Sequence, residues 1–274
     1  MMGRMTFARA LRSEAVRLRR SPLIALHLVL AAALGVLAGW YFSYASWDSL
    51  LGADAFFQLI GAAAPLLVGI SCGLAVDAER EAGDYANLLG VPSRRTALAA
   101  KGAALFALGL AAAVLAAVLF FGALTFAGRD APPLPACLGA ALGMALGCAF
   151  LYAAFVWIAL RFGRNVSIGL GALGLIVALA SLGGLANGLV TGTLSGSFGI
   201  DAALFVPFAW PSRIASLVVE LAIAGPLGFG AEAGALLASA LVRVAVACGA
   251  ATGALVVLLL VRANCFEDKR RVAE

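Results

Sequence analysis

Residue patterns that could support catalysis occur in this sequence inside apolar segments. Gly69-Ile-Ser-Cys-Gly73 matches the GxSxG pattern of serine hydrolases, and Gly169-Leu-Gly-Ala-Leu-Gly174 matches the GxGxxG pattern of dinucleotide-binding folds. Both patterns function at a turn between a strand and a helix, and the first also needs a triad histidine, although His27 is the only histidine of the chain. We therefore interpret these glycines as positions of close helix packing.

The two lysines exclude a nucleotide-hydrolysing site within this chain. A phosphate-binding loop reads GxxxxGK[ST], whereas Lys101 follows Ala100 and Lys269 follows Asp268. The five cysteines form no CxxC pair and have no histidine pair nearby, so they indicate neither a zinc site nor a disulfide framework. We expect a chain that is not an enzyme and that holds no metal or cofactor of its own.

Few ionisable residues lie within the apolar runs. Arg243 lies about ten residues into the last run, and Glu220 is its candidate partner on a transport pathway. The alternative is a structural arginine whose head group snorkels towards the interface. His27 lies one turn into the first run, where a structural role is favoured over a proton relay. A proton-driven carrier would need several such groups at mid-membrane, so the sequence argues against secondary transport.

The elements that hold these residues follow from composition. Of the 274 residues 64% are hydrophobic and 12% are charged, and the mean hydropathy is +1.05. A soluble domain would be about one-quarter charged, so this class is excluded. A bilayer crossing needs roughly 20 apolar residues. Six segments reach that length: 23–43, 56–76, 97–126, 136–160, 166–190 and 233–261. We expect one all-α integral membrane domain over residues 1–274.

The region 200–232 is apolar on average but does not read as a seventh span. Pro207, Pro211, Arg213 and Glu220 fall within one helix length, which favours a re-entrant or interfacial helical stretch. Phe208, Trp210, Pro211 and Arg213 form an aromatic and proline patch in it. Aromatic residues are common at the membrane surface, so we expect this patch in the outer leaflet, either as an extracellular gate or as an interfacial anchor.

The distribution of basic residues predicts the orientation. Of the 19 lysines and arginines, sixteen lie in the N-terminus, the second and fourth connections and the C-terminus. Arg129, Arg213 and Arg243 are the other three. By the positive-inside rule both termini are cytosolic, and the basic clusters are membrane flanks rather than a nucleic-acid surface.

Two further segments have an amphipathic pattern. Residues 3–21 place Phe7, Leu11 and Leu18 on one side and arginines on the other, which is typical of a helix in the inner headgroup layer or of a plain basic flank. In residues 77–95, Glu79, Arg80, Asp84 and Asn87 share one helical face and Ala82, Tyr85, Ala86 and Leu89 the other, and Gly90 and Pro92 end the helix. This second helix would suit docking of a soluble partner; from composition alone a solvated loop is equally compatible.

The segment 77–95 resembles the coupling helix of permease subunits in the type-2 ABC exporter family. The resemblance rests on a pattern between the second and third of six spans: Glu81, Gly83, Leu88, Leu89, Pro92, Arg94 and Lys101. The amphipathic N-terminal helix and the half-inserted stretch before the last span are similar too. The resemblance implies that Glu79, Arg80, Glu81, Gly83, Asp84, Tyr85, Leu88, Leu89, Pro92 and Arg94 contact a separate ABC ATPase.

Within that family, the patch from Pro207 to Arg213 resembles the lantibiotic-immunity permeases of bacterial cytoplasmic membranes. This resemblance implies a second permease subunit, a partner ATPase that binds the ATP and magnesium, and a lantibiotic-like or other amphipathic cargo taken from the lipid. An alternative from a different class is a membrane scaffold or sensor that docks a cytosolic partner without transport.

Overall fold

A computed structural model describes residues 6–85, 88, 90–181, 188–189, 191–194 and 206–263. Within this part of the chain there are helices and no strands. The helices are α1 (Phe7–Arg19), α2 (Pro22–Tyr44), α3 (Ser49–Glu81), α4 (Arg94–Phe126), α5 (Leu134–Phe162), α6 (Arg164–Ser181), α7 (Trp210–Ile223) and α8 (Ala231–Arg262).

Six of these helices, α2 to α6 and α8, are long and apolar enough to cross a membrane, which confirms the predicted number of spans. Their ends agree with the sequence prediction to within about three residues, with two exceptions. The helix α3 extends seven residues before and five residues beyond the predicted 56–76. The helix α6 is bounded at Ser181, and most of the remaining predicted span to residue 190 lies outside the described residues.

Side-chain caps and prolines set several of the helix starts. Ser21 accepts a hydrogen bond from the Leu23 amide, and Pro22 occupies the first turn of α2. Asp48 accepts from the amides of Leu50 and Leu51, so α3 begins well before its apolar run. This early start places Asp54 inside the helix.

Glycines bring some of the neighbouring helices into backbone contact. A Cβ at Gly35 of α2 would lie 2.6 Å from the Ala116 carbonyl oxygen of α4, and one at Gly171 of α6 would lie 2.9 Å from the Pro65 carbonyl oxygen of α3. In α8, by contrast, a Cβ at Gly249 or Gly253 would have no described atom within 4 Å. The helices α3 and α5 are therefore central, and α8 lies at the edge of the bundle.

The short helix α7 begins deep within the bundle. Its residue Pro211 packs on Gly147, thirteen residues from the start of α5, which corresponds to about 20 Å along that helix. Ile214 and Val218 then pack on Gly143 and Gly139, nearer the start of α5. The helix α7 thus rises from the middle of the bundle to one end, and insertion of this stretch into one half of a membrane stays a prediction.

The two ends of the bundle differ in charge. We call the end that holds α1 and the connections α3–α4 and α5–α6 the basic end, because most of the described arginines lie there together with Lys101 and its ion pairs. The opposite end holds the connections 45–48, 127–133 and 224–230.

Candidate functional site

A buried ionic cluster joins three helices at the basic end. It consists of Glu14 and Arg17 of α1, Glu79 of α3 and Lys101 of α4. The Lys101 Nζ atom lies 2.9 Å from Glu14 Oε2 and 3.0 Å from Glu79 Oε1. Arg17 lies 2.9 Å from Glu14 and 2.6 Å from Glu79. Because Lys101, Glu14 and Glu79 are each no more than 7% exposed, these charges have little access to solvent and depend on each other.

A second set of ion pairs holds α6 against α3. Asp77 accepts from Arg164 at 2.8 Å and from Arg80 at 2.9 Å, and the Asp77 side chain is buried. The last two turns of α3 are therefore fixed to α1, α4 and α6 by charge pairs.

Directly after these pairs the chain makes an exposed turn. We define the exposed turn as residues 81–84, all of which are exposed. Gly83, Asp84 and Tyr85 have φ angles of 149°, 51° and 63°, so three consecutive residues have positive φ. Such a backbone is uncommon for residues other than glycine and is retained where surrounding structure holds it.

The side chains that follow hold the exposed turn against the bundle. Tyr85 and Leu88 are 8% and 4% exposed and belong to the same apolar cluster as Leu105 of α4 and Leu151 of α5. The Tyr85 amide donates to the Glu79 carbonyl oxygen at 3.3 Å. The turn is thus an exposed surface whose neighbouring side chains pack into an apolar cluster with residues of three spans.

The predicted coupling residues are divided between these two environments. Arg80, Glu81, Gly83, Asp84 and Pro92 are exposed or half-buried, as docking residues should be, and Tyr85 and Leu88 are buried. Glu79 is also buried, so its predicted place on the exposed polar face is wrong, because the carboxylate pairs with Lys101.

The helical boundaries differ as well. Glu79, Arg80 and Glu81 complete α3, and the turn at 82–85 separates them from Leu88, so one continuous helix through these residues is not formed. Arg94 is the first residue of α4. Asn87 and Leu89 lie outside the described residues, and contact of this segment with an ATPase stays a prediction.

The aromatic and proline patch lies at a different depth from the one expected. Trp210 is 3% exposed and packs edge-on against Phe150. Phe208 stacks on Phe155. Phe150 lies near the middle of α5, and Phe155 lies in the half of α5 nearer the basic end. Pro211 and Arg213 are also buried. The predicted outer-leaflet position is therefore wrong, since the chain enters the bundle and starts α7 there. A gating role for these residues remains a prediction.

Glu220 lies in a buried carboxyl cluster rather than beside Arg243. Asp54 of α3 accepts from Ser216 of α7 at 2.6 Å and from Gln58 at 2.7 Å, and its carboxyl group also hydrogen-bonds to Glu220. Glu220 is fully buried, whereas Arg243 is exposed on α8. The expected Arg243–Glu220 pairing is not formed, and the expectation of almost no ionisable groups in the spans is wrong at Asp54.

His27 has partners for both ring nitrogens. Its Nδ1 atom donates to the Leu23 carbonyl oxygen at 2.8 Å, and Nε2 lies 3.3 Å from the Ser71 hydroxyl. The Ser71 residue of the GxSxG pattern therefore supports a buried histidine within a helix, and the glycines on either side face α6.

Sequence reasoning missed the buried polar contacts of Glu14, Arg17 and Asp54, and used Lys101 only as part of a motif. One signal was available for Glu14, since it is the only acidic residue among the four arginines of α1. A carboxylate that becomes buried is normally paired with a cation, but the sequence does not show which carboxylates are buried.

These observations define a polytopic α-helical membrane protein whose basic end carries an exposed turn between its second and third spans. Comparison with protein families then identifies the family: the sequence model described as ABC-2 family transporter protein matches residues 10–181, well over half of the chain. The chain therefore belongs to the ABC-2 family and is a membrane permease of an ABC transporter. No curated protein and no solved structure matches it.

Proposed function

We propose that this chain is the permease subunit of an ATP-driven exporter and that its separate ATPase docks on the exposed turn. The observation that carries this proposal is the combination of an exposed, charged turn with a buried ionic cluster one helical turn away. An exposed loop that is fixed so firmly to several spans can transmit a displacement, whereas a flexible loop would absorb it.

Movement would pass from the turn to the spans along two routes. The first route is covalent. The exposed turn directly follows α3 in the chain, and the residues after the turn lead to Arg94 at the start of α4. The second is through the ionic cluster, because Glu79 pairs with Lys101 of α4 and Arg17 of α1. Closure of the ATPases would therefore shift α1, α3 and α4 as one body.

The partner subunits follow from the chemistry that this chain lacks. Its sequence contains no phosphate-binding loop, so the ATP and magnesium are bound by the ABC ATPase. We further propose that a second permease subunit, the same or related, completes the transporter, and that the basic end faces the cytosol of a bacterium.

For the cargo we propose an amphipathic peptide of the lantibiotic type, expelled from the producer's own cytoplasmic membrane. Support comes from the apolar lining of the larger cavities, which suits a greasy substrate better than an ion or a sugar. An amphipathic substrate of another kind, such as a lipid-like molecule, fits the same surfaces.

The proposal is tested by reconstituting the chain with an ABC ATPase that co-purifies with it in mild detergent. We expect the complex to hydrolyse ATP faster when a lantibiotic is present, and cells that lack the chain to become sensitive to that peptide. Unchanged hydrolysis together with unchanged sensitivity would reject the peptide as cargo. Absence of any complex with the ATPase would reject the exporter itself and favour the scaffold or sensor.

One observation favours a second candidate, a proton-coupled carrier. Asp54 and Glu220 form a buried pair of carboxyl groups, and proton-coupled carriers use such groups within the membrane. This function predicts transport that follows the proton gradient and continues after ATP is depleted. The exporter predicts the reverse for both measurements.

A further inference from the structure

A cavity of about 280 Å³ lies between α2, α3, α4 and α5. Small side chains from all four helices create it, among them Ala31, Ala63, Ala112 and Ala145. For comparison, an engineered apolar cavity of about 150 Å³ stays dry and binds benzene. The space here is larger and is likewise lined almost wholly by carbon atoms, so an apolar occupant would be favoured over water.

The cavity is polar at one end. Tyr152 and His27 line it, and they lie at the same depth, because Cys72 contacts the Tyr152 carbonyl oxygen while the adjacent Ser71 contacts His27. Tyr152 is only 4% exposed, and its hydroxyl makes no hydrogen bond within the described part of the chain. The hydroxyl lies against Gly109, which lines the same cavity, so it is placed to bond to a ligand group there.

His27 supplies a second polar group at this end. Its Nδ1 atom donates to a carbonyl oxygen, so the neutral ring leaves Nε2 as an acceptor. The Ser71 hydroxyl has one proton and lies closer to the Leu67 carbonyl oxygen, at 2.6 Å, than to Nε2, at 3.3 Å. The ring itself is fully buried, so it adds polarity to this end of the cavity while Tyr152 supplies the group that a ligand can reach.

The other end of the cavity is apolar and opens sideways. Ile60 and Met144 line it, and Ile60 is eleven residues from Ser71, which corresponds to roughly 16 Å along α3. Leu30 and Leu34 of α2 lie at its edge and are 38% and 43% exposed. Since α2 is a membrane span, these leucines face lipid, and the opening is continuous with the hydrocarbon of the bilayer.

We propose that this cavity binds a single-chain amphiphile with an uncharged polar end, of the class of long-chain alcohols and monoglycerides. The chain would occupy the space beside Ile60 and Met144, and its hydroxyl or ester group would bond to the Tyr152 hydroxyl. An uncharged end is specified because a charge at this depth would have no partner. This proposal rests on and deepens the proposed export function, which uses the same cavity as support for an amphipathic cargo, and its test does not depend on ATPase docking.

A second copy of this chain would not fit as occupant. An α-helix with its side chains is about 10 Å across, so it needs far more room than this cavity offers. A flexible hydrocarbon chain enters such a space without displacing the helices.

The test uses the full-length chain in phosphatidylcholine vesicles and hexadecanol that carries a diazirine at mid-chain. After photolysis the labelled residues are mapped by mass spectrometry. We expect labelling around Ile60 and Met144 that excess unlabelled hexadecanol abolishes. Labelling of the exposed residues Val242 and Val246 of α8 should remain, because that surface contacts bulk lipid.

Two variants and a matched control make the test specific. Ala63→Phe fills the cavity and should remove the competable labelling, whereas Ala111→Phe, at an exposed position of α4 outside the cavity, should leave it unchanged. Tyr152→Phe removes only the hydroxyl and should weaken competition by unlabelled alcohol about 3- to 10-fold.

Several results would overturn the proposal. One is labelling of the cavity residues that competes no better than that of α8, and another is competable labelling that persists in Ala63→Phe. If Ala63→Phe does not fold, Tyr152→Phe becomes the deciding variant. Unaltered competition by unlabelled alcohol in Tyr152→Phe is the third result that would overturn the proposal. A cross-link between two copies of the chain at Leu34 in place of the label would also reject the lipid site.

Discussion

Lys101 and Glu14 are 87 positions apart in the chain and form a buried ion pair of 2.9 Å. The pair fixes the first helix to the third span, and Glu79 extends it to the second span at 3.0 Å. The charged side chains lie next to the exposed turn. A force applied to the turn would therefore act on three helices that are joined by ion pairs.

Replacement of Lys101 by methionine should strongly destabilise the protein. The variant leaves Glu14 and Glu79 buried without their shared ammonium group, and loss of one member of a buried ion pair costs about 3–5 kcal/mol of unfolding free energy. Unfolding of the detergent-solubilised chain, followed by circular dichroism, measures the loss.

Arg95→Ala is the matched control for Lys101→Met, because Arg95 is an exposed cation in the first turn of the same helix. Its effect should stay within about 0.5 kcal/mol. Adding Glu14→Gln to Lys101→Met should recover part of the lost stability, since Arg17 is then shared by one buried carboxylate instead of two. Equal stability of Lys101→Met and Arg95→Ala would show that the ion pairs are not sealed from water.

Gly171 and Gly169 of the GxGxxG pattern should respond in opposite directions to alanine. A methyl group at Gly171 would meet the backbone of α3 at Pro65, so Gly171→Ala should destabilise the bundle by about 1–3 kcal/mol. At Gly169 no described atom lies within 4 Å, and Gly169→Ala should stabilise the helix by roughly 0.5–1 kcal/mol. Thermal unfolding of both variants tests whether these glycines serve helix packing. If they formed a ligand-binding loop instead, the two changes in stability would not follow the Cβ contacts of the two positions.

Ser216→Ala tests the contact between α7 and α3. The variant removes a hydrogen bond to the buried Asp54 carboxyl group and should cost about 1–3 kcal/mol. Ser239→Ala is the control, since this serine is exposed on α8 and bonds only to its own helix within the described chain. If both variants unfold at the same temperature, α7 is not held by the carboxyl cluster.

The spans could be predicted because bilayer thickness alone requires long apolar runs, and nothing else in a chain of this composition produces six of them. The start of α3 could not be read from hydropathy, since the polar cap Asp48 and not an apolar residue sets it. Asp48 is a typical N-cap residue, but an analysis of hydropathy does not detect N-caps.

The candidate site was predicted in part for a related reason. Periodicity places Tyr85 on an apolar face, and the structure buries it. Periodicity also places Glu79 on the exposed face, and this failed because Lys101 and Glu14 come from distant parts of the sequence. For Trp210 and Pro211 the prolines indicate where a helix starts but not its depth, which depends on contacts with Gly147 and Phe150.

The depth of the aromatic and proline patch predicts poor access from the membrane surface. In a chain whose native cysteines are replaced by serine, Phe208→Cys should react slowly with a membrane-impermeant maleimide added from the opposite end. Glu232→Cys, at the exposed start of α8, should react at least tenfold faster. Comparable rates would place Phe208 at the surface, where an extracellular gate would lie.

Contact between a separate ABC ATPase and the exposed turn is central to the proposed mechanism. A photoreactive amino acid in place of Glu81 tests this contact directly, with the same residue in place of Glu232, another exposed glutamate at the opposite end, as the control. We expect irradiation of the complex to cross-link the ATPase at position 81 and not at position 232. Cross-linking at position 232 alone, or at neither position in a complex that hydrolyses ATP, would contradict the mechanism.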